Sequence, residues 1–301
     1  MQRALDEVSE GPPVPTVSAE SWLLYDDTFD FEIASHRATA PASIASTTKM
    51  MTALLVVDHA EMDEVVTISR RAEATGHKQI YLRAGEEWTV GELLEAVMVV
   101  SANDAAVALA EHVGGDVAGF VELMNDEAAA LGLTGTSFAN PHGLEARGHH
   151  GSAADLLALA RTVMSRPELA RLAAQPTGEM ISQDGRVVDG ESTNELLDIV
   201  DGAFGVKTGW TTRAGDVIVA GAERDGRRLY AVVLGSRDAN RDATALLEHG
   251  FAVFTPAERR LVPLMEDPDD AEVLRSSLPA ATLARLAHLR GLAKREEAPW
   301  E

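Results

Sequence analysis

Ser46 and Lys49 stand at a spacing that suits acyl-transfer chemistry. They are three residues apart in the stretch ASIASTTKMMTALLVVDHA, residues 42–60. On a helix, residues three apart share a face. An amine among apolar side chains has a lowered pKa, because burial disfavours its charged form. A neutral Lys49 could therefore take the proton of Ser46 and activate it as a nucleophile without a histidine.

A purely structural interpretation competes with this one. Ser46 would only cap the helix, and Lys49 would extend its amine to solvent. Roughly 0.2 such pairs are expected by chance, so the spacing alone is weak evidence. The chain has only four lysines, Lys49, Lys78, Lys207 and Lys294, so one placed in an apolar helix is informative.

A second group, Ser101-Ala102-Asn103, falls in the break between two predicted helices. The Ser101 hydroxyl could pass a proton to a leaving amine. The Asn103 amide could hold a substrate backbone and orient Lys49. Taken alone, helix capping by these side chains explains the group equally simply.

The third group, Lys207-Thr208-Gly209, lies on a predicted strand beside a hairpin. A strand edge can pair with an extended peptide. Lys207 and Thr208 offer donors to a carboxylate, and Gly209 would let a ligand approach the backbone closely. Only roughly 0.02 such triplets are expected by chance.

In this order the three groups resemble the signature of the penicillin-recognising serine enzymes, which have S-x-x-K, a serine-containing second motif and K-T-G. More specifically, the chain resembles the D-alanyl-D-alanine carboxypeptidases, the low-molecular-mass penicillin-binding proteins of peptidase family S11. The resemblance runs over roughly residues 18–254 and includes SANDAAVALAEHVGG, FVELMNDEAAALGLTGTSFANPHGL, STNELL and GVKTGWTTRAG. It implies an α/β (α+β) fold of the β-lactamase/transpeptidase type: an antiparallel sheet flanked by helices, with a helical subdomain inserted.

The resemblance also implies roles in catalysis. Ser46 would attack the carbonyl between two terminal D-alanines of a peptidoglycan stem peptide, and Lys49 would accept its proton. Ser101 and Lys207 would relay a proton to the leaving D-alanine. Water would then hydrolyse the acyl-enzyme, and β-lactams would acylate the same serine as covalent inhibitors.

Substrate-binding roles follow in the same way. Asn103 would bind the substrate backbone, and Lys207 and Thr208 its terminal carboxylate. The backbone N–H groups of Ser46 and of Trp210, which follows Gly209, would form the oxyanion hole. The family often has a further arginine for the carboxylate. Candidates here are Arg237 and Arg241, although their spacing to the next helix is shorter than usual.

No metal or cofactor is expected. His142, His149 and His150 invite a zinc interpretation, but their spacing is not a usual ligand pattern. The stretch NPHGL, which contains His142, also matches a structural loop of the family.

Strands are predicted near both ends of the chain and helices in the middle, which favours one sheet with a helical insertion. The predicted strands are Ser21–Asp27, Gly205–Thr212 and a hairpin around Asp225-Gly226. The predicted helices cover residues 42–60, the two sides of 101–104, 117–133, 154–164 and 241–254.

Composition limits the partners and the compartment. The net charge is −22, which argues against nucleic acid and anionic membrane as partners of the main body. The chain has no cysteine, so disulfides and thiol catalysis are excluded. Its start lacks the apolar region of a signal peptide. Because the family works outside the cytoplasmic membrane, we expect an extracytoplasmic enzyme whose leader is missing from this chain.

Three segments are predicted: a leader or linker over 1–18, a catalytic domain over 19–254 and a short tail over 255–301. The tail has Leu283, Leu286, Leu289 and Leu292 at helical spacing beside basic residues. This pattern suits peripheral membrane contact through an amphipathic helix, or packing of that helix on the domain.

Three alternatives stay open. A class A β-lactamase shares two of the motifs but has S-D-N as its second motif, where this chain has Ser-Ala-Asn. A peptidoglycan endopeptidase could use the same residues. A non-catalytic wall-binding module could share the fold, although its motifs need not be intact.

Overall fold

The fold was analysed in a computed structural model, which describes residues 13–252 and 261–278 together with residues 283, 286 and 287. The described strands are β1 (Ser21–Asp26), β2 (Phe31–His36), β3 (Val65–Thr67), β4 (Glu87–Thr89), β5 (Thr177–Ile181), β6 (Val187–Glu191), β7 (Ala203–Thr211), β8 (Gly215–Arg224) and β9 (Arg227–Ser236). The described α-helices are α1 (Lys49–His59), α2 (Arg70–Glu73), α3 (Val90–Met98), α4 (Asn103–Gly114), α5 (Val117–Ala130), α6 (Ala153–Met164), α7 (Pro167–Ala173), α8 (Leu196–Ile199), α9 (Ala239–Ala252) and α10 (Pro268–Ser277).

The main sheet has five antiparallel strands in the order β2-β1-β9-β8-β7. The first two strands of the chain thus lie beside the last three, and α1 to α8 lie between them in the sequence. This confirms the predicted fold class. Two small hairpins, β3–β4 and β5–β6, and strand β2 were not anticipated.

The predicted hairpin joins β8 to β9, with Arg224 paired to Arg227. Its two central residues, Asp225 and Gly226, have φ of 51° and 72°. Two positive φ angles belong to a type I′ turn, whose twist matches that of the strands it joins. The hairpin fixes the register of β8 and therefore of β7, the edge strand that carries the third motif.

Helix α1 lies in the middle of the larger hydrophobic core. Its residues from Lys49 to Val56 are all buried, and they include Met50 and Leu54 at 0% exposure. A helix that is buried on every side needs apolar residues all round, which is what the sequence provides. The other face of the sheet packs against α9 through a second cluster that includes Leu24, Ile218 and Leu246.

The segment predicted as one helix over 42–60 is divided. Residues Ala45–Thr48 form a 3₁₀ turn, and the α-helix begins at Lys49. The hydroxyls of Thr47 and Thr48 donate to the carbonyls of Ile44 and Ala45, three residues back. Such local bonds compete with regular α-helical geometry. Ser46 therefore lies in a tight turn rather than in the first turn of an α-helix.

Most of the predicted tail lies outside the described residues, including Leu289 and Leu292. Leu283 and Leu286 are described, and they pack with Leu261, Leu274 and Leu278 in a small apolar cluster. No helix among the described residues is long and apolar enough to cross a membrane. The boundaries at 18 and 254 stay predictions.

Candidate active site

The three sequence motifs meet at one cavity of about 1000 Å³. Its walls include Ser46 from the 3₁₀ turn, Ser101 and Asn103 from the start of α4, and Thr208, Gly209 and Trp210 from β7. The two motif lysines lie behind this surface: Lys49 is 0% exposed and Lys207 1% exposed. Every predicted site residue is therefore at the cavity or directly behind it.

The amine of Lys49 is surrounded by three oxygens. Its Nζ lies 2.9 Å from Ser46 Oγ, 2.6 Å from Asn103 Oδ1 and 2.8 Å from the backbone oxygen of His142. Two of these oxygens can only accept hydrogen bonds, whereas the hydroxyl can also donate. A neutral amine with two N–H groups and one lone pair satisfies this arrangement completely. Its lone pair then faces the Ser46 proton.

The surroundings of Lys49 favour that neutral form. Burial is the main cause of a pKa well below the usual value, and the nearby charges of Lys207 and Lys78 lower the pKa further. The carboxylate of Asp104 acts in the opposite direction. Desolvation is the dominant effect, and it favours the neutral amine that a general base requires.

Ser101 and Asn103 occupy the start of α4 in different ways. The Asn103 amide donates from Nδ2 to the backbone oxygen of Gly76 at 3.1 Å, which turns its Oδ1 toward Lys49. Ser101 has φ of 65°, a left-handed conformation that is unusual for serine. Its Oγ is buried and has no hydrogen-bond partner among the described residues, and it makes no bond to Lys207. The structure therefore does not show the contact between Ser101 and Lys207 that the expected proton relay would use.

Lys207 and Thr208 present donors at the edge of the sheet. Lys207 Nζ donates to the backbone oxygen of Thr208 at 3.3 Å, and Thr208 Oγ1 donates to Thr193 Oγ1 at 2.6 Å. Burial lowers the pKa of Lys207 to about 7, and the charge of Lys78 contributes to this shift. Thr193 also lines the cavity, and the sequence analysis did not single it out.

Two glycines hold the turn that carries Ser46. A Cβ added to Gly209 would lie 2.5 Å from the backbone nitrogen of Ser46, and one added to Gly143 would lie 1.9 Å from the backbone oxygen of Ala45. Both separations are far below van der Waals contact. The expectation for Gly209 was close approach of a ligand, but the neighbour that requires glycine is the backbone of the nucleophile. The N–H groups of Ser46 and Trp210 are thereby brought to the same wall.

Comparison with known proteins agrees with this geometry. A family model described as D-alanyl-D-alanine carboxypeptidase, peptidase family S11, matches residues 7–238. The chain belongs to the D-alanyl-D-alanine carboxypeptidase family. It is 34% identical over 228 residues to the D-alanyl-D-alanine carboxypeptidase DacF of Bacillus subtilis. It is 35% identical over 274 residues to DacD of Escherichia coli, covering 85% of this chain and 69% of that protein.

Solved structures of the family superpose on this fold. The D-alanyl-D-alanine carboxypeptidase DacD from Francisella tularensis gives a TM-score of 0.74 at 28% identity, covering 80% of this chain and 72% of that one. A serine-to-alanine mutant of Streptomyces K15 DD-transpeptidase gives 0.76 at 29% identity, covering 79% and 99%. The match to Bacillus DacF covers 73% of this chain but only 58% of that relative, so this chain spans little more than half of its length.

Neither candidate for the further carboxylate-binding arginine is at the cavity. Neither Arg237 nor Arg241 lines the cavity, and Ala239 and Asn240 lie there instead. The backbone N–H groups of the two arginines donate to Ser18 and Asp238. The short connection from β9 to α9 places both side chains elsewhere.

Two carboxylates lie near this end of the cavity. Asp216 pairs with Trp210 across the β7–β8 ladder, and both Asp216 and Asp238 line the cavity. Desolvation raises the pKa of Asp216, and the charge of Asp238 raises it further. The part of the cavity beside Asp216 and Asp238 is therefore unfavourable for binding an anion.

His149, which follows the NPHGL stretch, contacts the turn that carries Ser46. His149 Nδ1 accepts from the N–H of Ala139 at 3.0 Å, so its Nε2–H can donate to Thr48 Oγ1 at 2.8 Å. Burial lowers the pKa of His149 to about 4 and that of His142 to about 3. No group of three metal-ligating side chains occurs within the described part of the chain.

Asp104 is a structural residue of the site that the sequence analysis missed. It is 1% exposed, and its carboxylate accepts hydrogen bonds from the backbone N–H groups of Ile80 and Leu82. These bonds fasten the loop before β4 to the first turn of α4. The sequence showed only a polar cluster at 101–104, and nothing in the local pattern identified the distant backbone groups.

Proposed function

We propose that this chain is a serine-type D-Ala-D-Ala carboxypeptidase. It removes the terminal D-alanine from peptidoglycan stem peptides through an acyl-enzyme on Ser46. The observation that carries this proposal is the environment of Lys49, whose Nζ lies 2.9 Å from Ser46 Oγ while two fixed acceptors occupy its other directions. Membership of the D-alanyl-D-alanine carboxypeptidase family supports the same activity.

Acylation begins when Ser46 Oγ attacks the carbonyl carbon between the two D-alanines. Its proton moves to Lys49 Nζ as the new C–O bond forms. The carbonyl oxygen becomes an oxyanion, which the N–H groups of Ser46 and Trp210 stabilise. The close contact between Gly209 and Ser46 supports this arrangement, because it brings the two donors together.

Collapse of the tetrahedral intermediate breaks the C–N bond, and the leaving D-alanine nitrogen takes up a proton. Ser101 Oγ is buried, lines the cavity and lacks a partner among the described residues, so it is available to deliver that proton. Protonated Lys49 then gives up the proton it took from Ser46, which returns to Ser101 directly or by way of Lys207, so that Lys49 is neutral again. Water then attacks the ester carbonyl, with Lys49 again as base, and releases the shortened peptide.

Substrate binding uses the other two motifs. The Asn103 amide and the edge of β7 hold the extended backbone of the peptide. Lys207 and Thr208 bind the terminal carboxylate, and Gly209 and Trp210 complete that wall. β-Lactams, which imitate the D-Ala-D-Ala terminus, acylate Ser46 in the same way. The enzyme acts outside the cytoplasmic membrane, where such stem peptides are exposed.

The test measures D-alanine release from diacetyl-L-Lys-D-Ala-D-Ala, together with labelling by a fluorescent penicillin. We expect the wild type to release D-alanine and to be labelled, and Ser46→Ala to do neither. Equal labelling of both proteins would refute the assignment of the nucleophile. A second substrate, in which a crosslink joins two stem peptides, distinguishes a carboxypeptidase from an endopeptidase, because only an endopeptidase cleaves the crosslink.

The alternatives make different predictions in the same assays. A class A-like β-lactamase would turn over nitrocefin rapidly, whereas the proposed enzyme is acylated stoichiometrically and recovers slowly. A non-catalytic wall-binding module would bind peptidoglycan without labelling or release. The intact Ser46–Lys49 contact disfavours the module, because a binding protein does not require it.

A further inference from the structure

A third lysine belongs to this cavity and has no role in the chemistry described so far. Lys78 lies on the loop between α2 and β4, is exposed, and lines the cavity beside Ser101 and Asn103. Within the part of the chain that the structure describes, its side chain forms no ion pair and no hydrogen bond. Three of the four lysines of the protein are thus gathered around one cavity.

The loop holds Lys78 in a defined position. The backbone oxygen of Lys78 accepts a hydrogen bond from the N–H of Asn103 at 2.8 Å, and Gly76 accepts one from the Asn103 amide. On the other side, Asp104 binds the N–H groups of Ile80 and Leu82. The start of α4 therefore fixes this loop and the substrate-binding Asn103 as one unit.

Backbone conformation points to the same conclusion. His77, immediately before Lys78, has φ of 70°, a left-handed value that is unfavourable for a residue with a Cβ. Such conformations cluster at functional sites, where the surrounding structure maintains them. Here the hydrogen bonds to Asn103 and Asp104 maintain it, and the result is a lysine at the cavity beside Asn103.

Electrostatics show what this lysine is suited to bind. Its charge reaches both buried lysines, because it lowers the pKa of Lys49 and of Lys207. An anion beside Lys78 would be attracted by its ammonium group and by that of protonated Lys207. Asp216 and Asp238, which line the cavity near Trp210, repel an anion there. The protein as a whole has a net charge of −22, so local cations are needed to hold an acidic peptide.

We propose that Lys78 is a specificity-determining residue that binds an internal carboxylate of the stem peptide, on the acyl side of the scissile bond. This carboxylate is distinct from the terminal one, which Lys207 and Thr208 hold on the other wall. The inference rests on the proposed carboxypeptidase function and names the substrate class more closely: peptides with a second free carboxylate. A charge-assisted hydrogen bond from the ammonium to that carboxylate is the contact that discriminates.

The test uses two peptides that differ in one group. One is acetyl-γ-D-Glu-L-Lys(acetyl)-D-Ala-D-Ala with its internal carboxylate free, and the other has a carboxamide there. We expect the wild type to prefer the carboxylate peptide by about 3- to 10-fold in KM, with similar kcat. Lys78→Gln should abolish this preference, and Lys78→Arg should retain it.

Arg83→Gln is the matched control. It removes an exposed positive charge from the same loop, and Arg83 does not line the cavity. It should leave the preference unchanged. Equal treatment of both peptides by the wild type would overturn the proposal. The proposal would also be overturned if Lys78→Gln raised KM equally for both peptides. That result would mean that Lys78 binds the terminal carboxylate or only maintains the loop.

A binding measurement separates this proposal from the function on which it rests. Titration calorimetry of both peptides into Ser46→Ala reports affinity without turnover. The carboxylate peptide should bind about 3- to 10-fold more tightly, and adding Lys78→Gln should remove the difference. Failure of D-alanine release and of penicillin labelling would refute the proposed function alone. Absence of any difference in affinity would refute the role of Lys78.

Discussion

At the scale of the residue, the site depends on an amine that the protein keeps out of water. Lys49 is 0% exposed and touches two acceptors and one hydroxyl. A solvated lysine in the same place would be protonated and would have no lone pair for Ser46. Besides packing the core, the apolar helix around Lys49 lowers the pKa of its amine, as the proposed role of general base requires.

Removing this amine should abolish acylation without unfolding the protein. Lys49→Met keeps a side chain of similar length in the core and deletes the base. We expect the rate of acylation by penicillin to fall by about 10²- to 10⁴-fold, the usual contribution of a general base. The melting temperature should change by only a few degrees, because the loss of a buried amine offsets the loss of its hydrogen bonds to Asn103 and His142. Acylation of Lys49→Met at the wild-type rate would show that another group is the base.

The pH dependence should report on Lys207. It must carry a proton to bind a carboxylate, and its pKa is lowered to about 7. The value of kcat/KM for the peptide should therefore fall as the pH rises above about 7. It should also fall at low pH, where Lys49 becomes protonated. Stopped assays across the pH range, at constant ionic strength, measure both limbs of the pH profile, the acid limb and the alkaline limb.

Lys207→Arg is the control for the alkaline limb. The guanidinium stays protonated at every accessible pH, so this limb should move beyond the measured range while the acid limb remains. An alkaline limb that is unchanged in Lys207→Arg would assign it to another group.

At the scale of the element, the site is the junction of the edge strand β7 with the 3₁₀ turn before α1. The turn comes from the helical part of the fold and the strand from the sheet. Their contact is close enough that only glycine fits at position 209. The relative position of these two elements therefore fixes the distance between the backbone N–H groups of Ser46 and Trp210, the proposed oxyanion donors.

Gly209→Ala should separate the two elements. Its Cβ would lie 2.5 Å from the Ser46 nitrogen, so the strand or the turn has to move. We expect acylation to slow by about 10²- to 10³-fold, comparable to loss of one oxyanion donor. Burst kinetics with a chromogenic β-lactam measure this rate.

Gly91→Ala serves as the comparison for Gly209→Ala. Gly91 lies in the first turn of α3 and does not line the cavity. A Cβ added to it would lie 3.2 Å from its nearest neighbour, the backbone oxygen of Met62. It should leave acylation within about 2-fold of the wild type. Unchanged acylation in Gly209→Ala would mean that the strand does not contribute a donor.

At the scale of the whole molecule, a buried ion pair ties the two ends of the chain together. Arg227 at the start of β9 donates from Nε to Asp26 of β1 at 2.7 Å, and from Nη1 to the backbone oxygen of Gly250 in α9 at 2.7 Å. Asp26 is 0% exposed. Three elements from distant parts of the sequence thus converge on one guanidinium.

Arg227→Ala should lower the free energy of unfolding by about 3–5 kcal/mol, because it leaves the buried Asp26 carboxylate without its partner. Arg224→Ala is the control, because Arg224 lies on the same hairpin as Arg227 and pairs with the half-exposed Glu248 of α9. Its loss should lower the free energy of unfolding by about 1 kcal/mol or less. Urea unfolding followed by circular dichroism measures both. A similar small loss in the two variants would show that Asp26 is accommodated as the neutral acid.

The sequence predicted those parts of the structure that depend on local pattern. The spacing of Ser46 and Lys49, the Asp225-Gly226 turn and the break at Ser101 all follow from neighbouring residues. The site residues were found for the same reason. The roles of Asp104 and Lys78 were not predicted, because each depends on a contact between α4 and a loop some twenty residues earlier. The positions of Arg237 and Arg241 depend on the path of the β9–α9 connection, which periodicity does not specify.

The two glycines that enclose the Ser46 turn have a consequence for the proposed acylation of Ser46 by β-lactams. Gly143 and Gly209 leave no room for any side chain beside the nucleophile. Substitutions that reduce acylation by β-lactams yet preserve peptide hydrolysis must therefore arise elsewhere. The rim of the cavity, where Thr193 and the exposed Trp210 lie, is where selection for drug resistance is expected to act.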